Sequence, residues 1–288
     1  DICGIYDLSL DKTEFTCNDV GETIVTLTAT DPNNNTSTCQ ATISVSGEVI
    51  PEALCKETTV QLDQNGLASI SVNDIDNGSN ANCGLANLSL DINSFDCSTI
   101  GENIVTLTVT DLNGTAGSCL ATVTVLDEIA PTALCQDMTV QLDENGLASI
   151  SEATIDNGSS DACGIASMSL NQSDFDCTKV GDHIITLSVT DNNGNSSSCQ
   201  ATVMIEDVTA PIALCQDITV QLDENGLAVI SEVDIDDGSA DACGIASMSL
   251  DQTNFSCADV GGNTVTLTTT DNNENSNSCQ ATVTIEDV

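Results

Sequence analysis

Arginine is missing from this sequence, and so is tryptophan. Basic side chains are limited to Lys12, Lys56 and Lys179, set against 45 Asp and Glu, which leaves a net charge of −42. Phosphate contacts need Lys and Arg, so a nucleic-acid partner is excluded. Docking on anionic lipid headgroups is disfavoured for the same reason. No apolar run reaches membrane length, and no signal-peptide pattern opens the chain. No membrane insertion is expected, and Asp1 reads as a mature start or an arbitrary cut. With one Tyr and no Trp, little is left to line a sugar cleft. No Cys-x-x-Cys pair occurs, and zinc-finger spacing is absent.

Cysteine, by contrast, is abundant, with 15 residues. Such a thiol load in a folded chain implies disulfides and an oxidising compartment, hence an extracellular or cell-surface location. The apolar fraction of 40% and the ordered spacing of Val, Ile and Leu argue against disorder.

The cysteines recur every 80 residues. Cys3, Cys83, Cys163 and Cys243 form one series, and Cys17, Cys97, Cys177 and Cys257 a second. Cys39, Cys119, Cys199 and Cys279 form a third, and Cys55, Cys135 and Cys215 a fourth. Phe15, Phe95, Phe175 and Phe255 keep the same step, and residues 129–208 match 209–288 at 57 of 80 positions without a gap. The chain is therefore an array of one duplicated unit. Complete units are expected at 49–128, 129–208 and 209–288, with 1–48 the C-terminal part of a truncated one. The odd cysteine count follows from that truncation, as in a window cut from a longer array.

Each unit reads as β. In 129–208, Ile185, Leu187 and Val189 alternate with Thr186, Ser188 and Thr190, the pattern of a strand with one buried face. Ala201, Val203 and Ile205 repeat it. Thr139–Leu142 and Leu147–Ser151 flank Asp143-Glu144-Asn145-Gly146, a hairpin signal, and Ile165–Leu170 forms a further apolar run. No helical period is visible. Six or seven short strands joined by Gly and Asn turns predict a small immunoglobulin-like sandwich of about 80 residues, all-β and repeated in tandem.

Four cysteines per unit allow three pairings. A bridge between the first and last strands clamps a sandwich, which favours Cys135–Cys199 and its copies Cys55–Cys119 and Cys215–Cys279. The remaining two would then close locally as Cys163–Cys177, Cys83–Cys97, Cys243–Cys257 and Cys3–Cys17, giving two disulfides per unit and leaving Cys39 alone. A unit with a single Phe as its aromatic core needs such staples.

Taken together, Ala210-Pro211-Ile212-Ala213-Leu214-Cys215, Asp223-Glu224-Asn225-Gly226, Cys243-Gly244, Val265-Thr266-Leu267 through Asp271-Asn272-Asn273, and Cys279-Gln280-Ala281-Thr282-Val283 resemble the hyalin-repeat (HYR-like) modules of cell-surface proteins. The variant is similar to arrays in very large secreted surface adhesins of Bacteroidetes-type bacteria, gliding-motility adhesins included. The resemblance implies an immunoglobulin-like fold and a surface location. The local Cys163–Cys177 type of pair departs from the simplest hyalin pattern.

Hard cations need clustered oxygens, and three places per unit offer them. The first is the loop with Asp74 and Asp76, repeated as Asp156 through Asp161 and as Asp234 and Asp236 through Asp241. The second is the turn opened by Asp191 and Asp271. The third is the junction acids Asp127, Glu128, Glu206 and Asp207, where one cation shared by two units would stiffen the linker. Calcium is the expected ion. The plain alternative is that Asp, Asn and Gly form turns with or without metal.

Nothing in the sequence supports an enzyme. His183 is replaced by Thr23, Asn103 and Asn263 in the other units and reads as a solvent-facing turn residue. The expected function is an extracellular stalk or spacer of a cell-surface adhesin, in which each repeat's partners are its neighbours. Two alternatives remain open: a filament in which copies of the chain assemble, and a calcium-dependent carbohydrate or matrix-binding module that holds surface glycans.

Overall fold

A computed structural model describes residues 2, 4–46 and 49–287. The chain forms two compact units, Asp1–Ile129 and Ala130–Val288.

Within Ala130–Val288 the same set of strands occurs twice, 80 residues apart. In the first copy, Met138–Gln141, Ser196–Glu206, Gly181–Asp191 and Ile165–Leu170 lie side by side in a four-stranded sheet. Met138–Gln141 pairs in parallel with Ser196–Glu206, and the other contacts are antiparallel. Leu147–Ser149 and Asp174–Asp176 form a two-stranded second layer. The expected alternation holds: Ile185, Leu187, Val189, Ala201, Val203 and Ile205 are buried, and Phe175 from the smaller layer joins the same core. The second copy builds the same core around Phe255, Val265, Leu267, Val283 and Ile285. Each copy is an immunoglobulin-like all-β sandwich.

Two expectations about local structure need adjustment. A single α-helical turn, Glu152–Ile155, follows the second strand, and a 3-10 turn spans Cys177–Lys179. Both are too short to show a 3.6-residue period. Cys135 lies ahead of the first strand, in an isolated bridge to Asp156, and Cys199 sits inside the last strand.

Unit Asp1–Ile129 contains one further such set, with the sheet order Thr58–Gln61, Ala116–Leu126, Gly101–Asp111, Leu85–Leu90. Before it, Asp7–Leu10, Gly21–Thr30 and Thr36–Val45 form a three-stranded sheet. Of the described apolar residues in that stretch, Val25 alone is buried.

The clamping bridges are Cys55–Cys119, Cys135–Cys199 and Cys215–Cys279, each spanning 64 residues. By the loop-entropy model a closed loop of that size is worth roughly 4 kcal/mol.

The local pairs are not formed. Cys177 is bonded to Cys243, 66 residues on in the next repeat, and Cys17 is bonded to Cys83. These bonds replace the expected Cys163–Cys177, Cys243–Cys257 and Cys83–Cys97, and they take Cys17 from Cys3, which lies outside the described residues. Cys97 and Cys163 are also disulfide-bonded. Cys39 is free as expected, and Cys257 is free against expectation.

The strand register explains this pairing. Ile165, two residues after Cys163, lies opposite Asp191 at one end of strand Gly181–Asp191. Cys177 lies four residues before Gly181, at the other end of that strand. Eleven extended residues span about 35 Å, whereas a disulfide needs Cα atoms within about 7 Å. The two cysteines of one repeat therefore mark opposite ends of the sandwich. Where the C-terminal end of one sandwich meets the next, Cys177 and Cys243 have Cα atoms 5.1 Å apart.

Candidate functional site at the repeat junction

The junction inside unit Ala130–Val288 is built from short polar segments of both repeats. Strand Ser196–Glu206 ends at Asp207, whose Oδ1 accepts the Thr209 N–H at 3.0 Å and turns the chain into the linker. The next repeat holds that linker from its own final hairpin. Asn275 Nδ2 donates to the Asp207 carbonyl and Asn277 Nδ2 to the Pro211 carbonyl, both at 3.0 Å. Pro211 is buried.

From the other side comes the loop before strand Ile245–Leu250. Asp241 Oδ1 accepts the Cys243 N–H at 2.7 Å, and the Cys243 carbonyl accepts from Asn272 Nδ2 at 2.7 Å. These bonds fix the Cys243 backbone, and so place its sulfur for Cys177. The Asp143-Glu144-Asn145-Gly146 turn of the first repeat closes over the bridge. Asp143 Oδ1 accepts the N–H groups of Asn145 and Leu147, each at 2.9 Å, and Gly146 takes φ +74°. A Cβ on Gly146 would come within 2.5 Å of Cys177 Sγ and 3.3 Å of Ala242 Cβ. Glycine is thus required twice, for its left-handed backbone and for the sulfur packed against it.

The sequence-derived acidic residues part company here. Asp74 and Asp234 each bind the N–H and hydroxyl of Ser71 or Ser231, capping the single helical turn. Asp76, Asp156 and Asp236 accept from the N–H of Ser79, Ser159 and Ser239 at 2.9 Å. Asp191 and Asp271 are buried with both carboxylate oxygens engaged: Oδ1 takes two turn N–H groups, and Oδ2 takes the side-chain amide of Asn195 or Asn275. Asp127 accepts the Ile129 N–H at 3.1 Å, Asp161 accepts the Cys163 N–H at 2.8 Å, and Glu128 meets the Gln61 amide. Glu206 is the last strand residue beside Asp207.

Asp207 and Asp241, from two separate sequence clusters, are brought together. One carboxylate oxygen of each, with Cys243 Sγ, falls within a 4.8 Å group. Asp207 is only 8% exposed, and its Oδ2 is buried without a hydrogen-bond partner. No spacing rule could have joined residues 34 positions apart in different repeats.

The turn aspartates carry a pH signature. In Asp63, Asp143 and Asp223 the backbone N–H four residues on (Leu67, Leu147, Leu227) is the main cause holding the carboxyl below its ordinary 3.8. In Asp191, burial pushes the value up, and the Asn195 amide with the turn N–H groups outweighs it, so the net direction is again down. A folded pKa below the unfolded one gives stability that is present above the unfolded value and is lost as pH falls through the folded one. The melting temperature of the non-reduced chain is expected to hold from pH 7 to 5 and to fall below about pH 4. A continuous rise on acidification would mean that relief of charge repulsion outweighs these turn bonds.

His183 is half-buried in strand Gly181–Asp191 rather than in a turn, and its Nε2 donates to the Lys179 carbonyl at 2.7 Å. Asn103 and Asn263 make the same 2.7 Å bond to Thr99 and Asp259, and Thr23 bonds Asp19 at 3.2 Å. The position closes the 3-10 turn in every copy, a structural task that any short donor performs.

No helix among the described residues is long and apolar enough to cross a membrane, which says nothing about β-barrels. No family model matches the chain. Among curated proteins it is similar to hyalin of Lytechinus variegatus, at 26% identity over 238 residues covering 80% of this chain and 45% of hyalin. The chain thus spans under half the length of that relative. The similarity supports hyalin-repeat character and does not bear on bacterial adhesins. Among solved structures, the cadherin domains 1–4 of protocadherin gamma B7 match at TM-score 0.33 and 14% identity, covering 96% of this chain and 91% of that one. The immunoglobulin domains 1–5 of Sidekick-1 match at 0.34 and 11%, covering 95% and 68%.

Proposed function

We propose that this chain is a length of an extracellular, adhesion-related array whose repeats serve as a covalently interlocked stalk or spacer. The observation that carries this is the inter-repeat disulfide. A repeat that only displayed a binding loop would have no use for a bond to its neighbour, whereas a stalk gains continuity from one. The oxidised cysteines support an extracellular location, and the three lysines support exclusion of nucleic acid. Cations bound among the acidic turns would stiffen the array further. Bacterial surface arrays of gliding-motility type remain the organismal setting suggested by the motif resemblance.

The reading is tested by sedimentation of the purified chain and by its retention on glycan and matrix surfaces, with and without calcium. A monomer that is not retained is expected. Elongation without cells would make the chain a filament subunit, and calcium-dependent retention would make it a binding module.

A further inference from the structure

We propose that Asp207 and Asp241 form a binding site for a hard divalent cation of the calcium class, placed beside the inter-repeat disulfide. This deepens the cation-stiffening part of the proposed function, and the site itself does not depend on the stalk role.

The argument starts from the cost of Asp207. A buried carboxylate oxygen without a donor is expensive, and an unpaired buried charge more so. Asp207 Oδ1 is satisfied by Thr209, while Oδ2 is buried with no partner. One carboxylate oxygen of Asp207 lies within 4.8 Å of one of Asp241, so burial and repulsion add instead of cancelling. The protein has little means of neutralising the pair itself: it has no Arg, and one of its three lysines, Lys12, is bound to Asp19. A divalent cation reverses the sign of the whole arrangement, because two carboxylates a few ångströms apart are its preferred ligands.

The chemistry of the site favours an oxygen-seeking ion. Cys243 Sγ is already bonded to Cys177, so it offers no thiolate and soft metals gain nothing from it. Asp241 Oδ1 is held by the Cys243 N–H, and Asp207 Oδ1 by the Thr209 N–H, so both carboxylates are oriented before any ion arrives. Two protein carboxylates are few for calcium, which takes six to eight oxygens, so water completes the shell. The affinity is then that of extracellular modules, on the order of 10⁻⁴–10⁻³ M. Because Asp207 belongs to one repeat and Asp241 to the next, the ion ties the two together at the point where the disulfide already does.

The test uses the full chain with calcium chloride as the probe and hydrogen exchange as the readout. At ten times the dissociation constant, amides in peptides covering 205–212 and 239–246 are expected to exchange about tenfold more slowly, as binding to the closed form requires. Asp207→Asn with Asp241→Asn should abolish that protection and lose one ion per chain in a calorimetric titration. Glu224→Gln with Asp182→Asn removes the same charge from exposed positions outside the candidate loops and should keep both. No slowing in the unsubstituted chain overturns the proposal, whether or not the variants fold. Equal loss in the control pair also overturns it, leaving only diffuse counterion attraction. Protection at the junction in a chain that retains glycans would keep the site and remove the spacer reading.

Discussion

A protease site inserted after Val208 and cut to completion is expected to leave the non-reduced chain as one species on a denaturing gel. The same cut in a Cys177→Ser, Cys243→Ser chain should release two fragments. The reason lies in how the disulfide loops overlap. Cys135–Cys199 encloses one stretch and Cys215–Cys279 another, and the 16-residue step between Cys199 and Cys215 lies in neither. Cys177–Cys243 begins inside the first loop and ends inside the second, so it spans that step. Every peptide bond from Cys135 to Cys279 is then bypassed by at least one disulfide. In unit Asp1–Ile129, Cys17–Cys83 and Cys55–Cys119 overlap in the same way, so no single cut between Cys17 and Cys119 separates the chain. Locally paired cysteines would enclose only bonds already inside a sandwich and leave each linker unprotected. Linkers are where nicking concentrates, so the inter-repeat bond covers the most vulnerable segment. Two bands from the unsubstituted chain before reductant is added would refute the overlap.

The sandwich was legible in the sequence because its signal is local and repeated. Alternation in Ile185–Val189 and Ala201–Ile205 states which face is buried, and the Asp143–Gly146 turn states where the chain reverses. Cys135–Cys199 was legible because first and last strands are neighbours in such a fold. The second pairing was not, because it depends on which end of the sandwich each cysteine occupies. That in turn depends on the Ile165–Asp191 register, and nothing in the residues between Cys163 and Cys177 announces it. The roles of the acidic loops are hard to read from the sequence for a related reason. Asp74, Asp156 and Asp234 have the residue types of a cation loop, yet each finds donors within three residues, a local solution available to any Asx turn or helix cap. Asp207 and Asp241 differ because burial at the junction leaves Asp207 Oδ2 with no such donor, and burial across a junction is a property of the folded pair. Gly146 carries the one overlooked hint: a turn glycine is ordinary, and its contact with the Cys177 sulfur becomes visible only when the next repeat is in place.

Pulled from its ends, the non-reduced chain is expected to lengthen without the large steps of unfolding sandwiches, and reduction should restore them. Cys135 and Cys199 have Cα atoms 5.7 Å apart, whereas the 64 residues between them would extend to about 220 Å. The clamp therefore withholds nearly all of a repeat's length from the applied force, and Cys215–Cys279 does the same for the next. What remains between the two is the 16-residue linker step, about 55 Å when taut. Cys177–Cys243 offers a second route between the sandwiches, from Cys199 back to Cys177 and from Cys243 back to Cys215, and this route is longer than the linker. The linker therefore goes taut first, and the inter-repeat bond bears load only after the linker has been cut. Cys177→Ser should accordingly leave the non-reduced extension unchanged while removing tolerance to a nick, and Cys177→Ser with Cys215→Ser should add one step of about 220 Å, because no disulfide then shortens the path through the last repeat. Steps of that size in the unsubstituted, non-reduced chain would refute the clamp. A shorter limit of extension lost with Cys177→Ser would assign the inter-repeat bond to bearing load instead of guarding the linker.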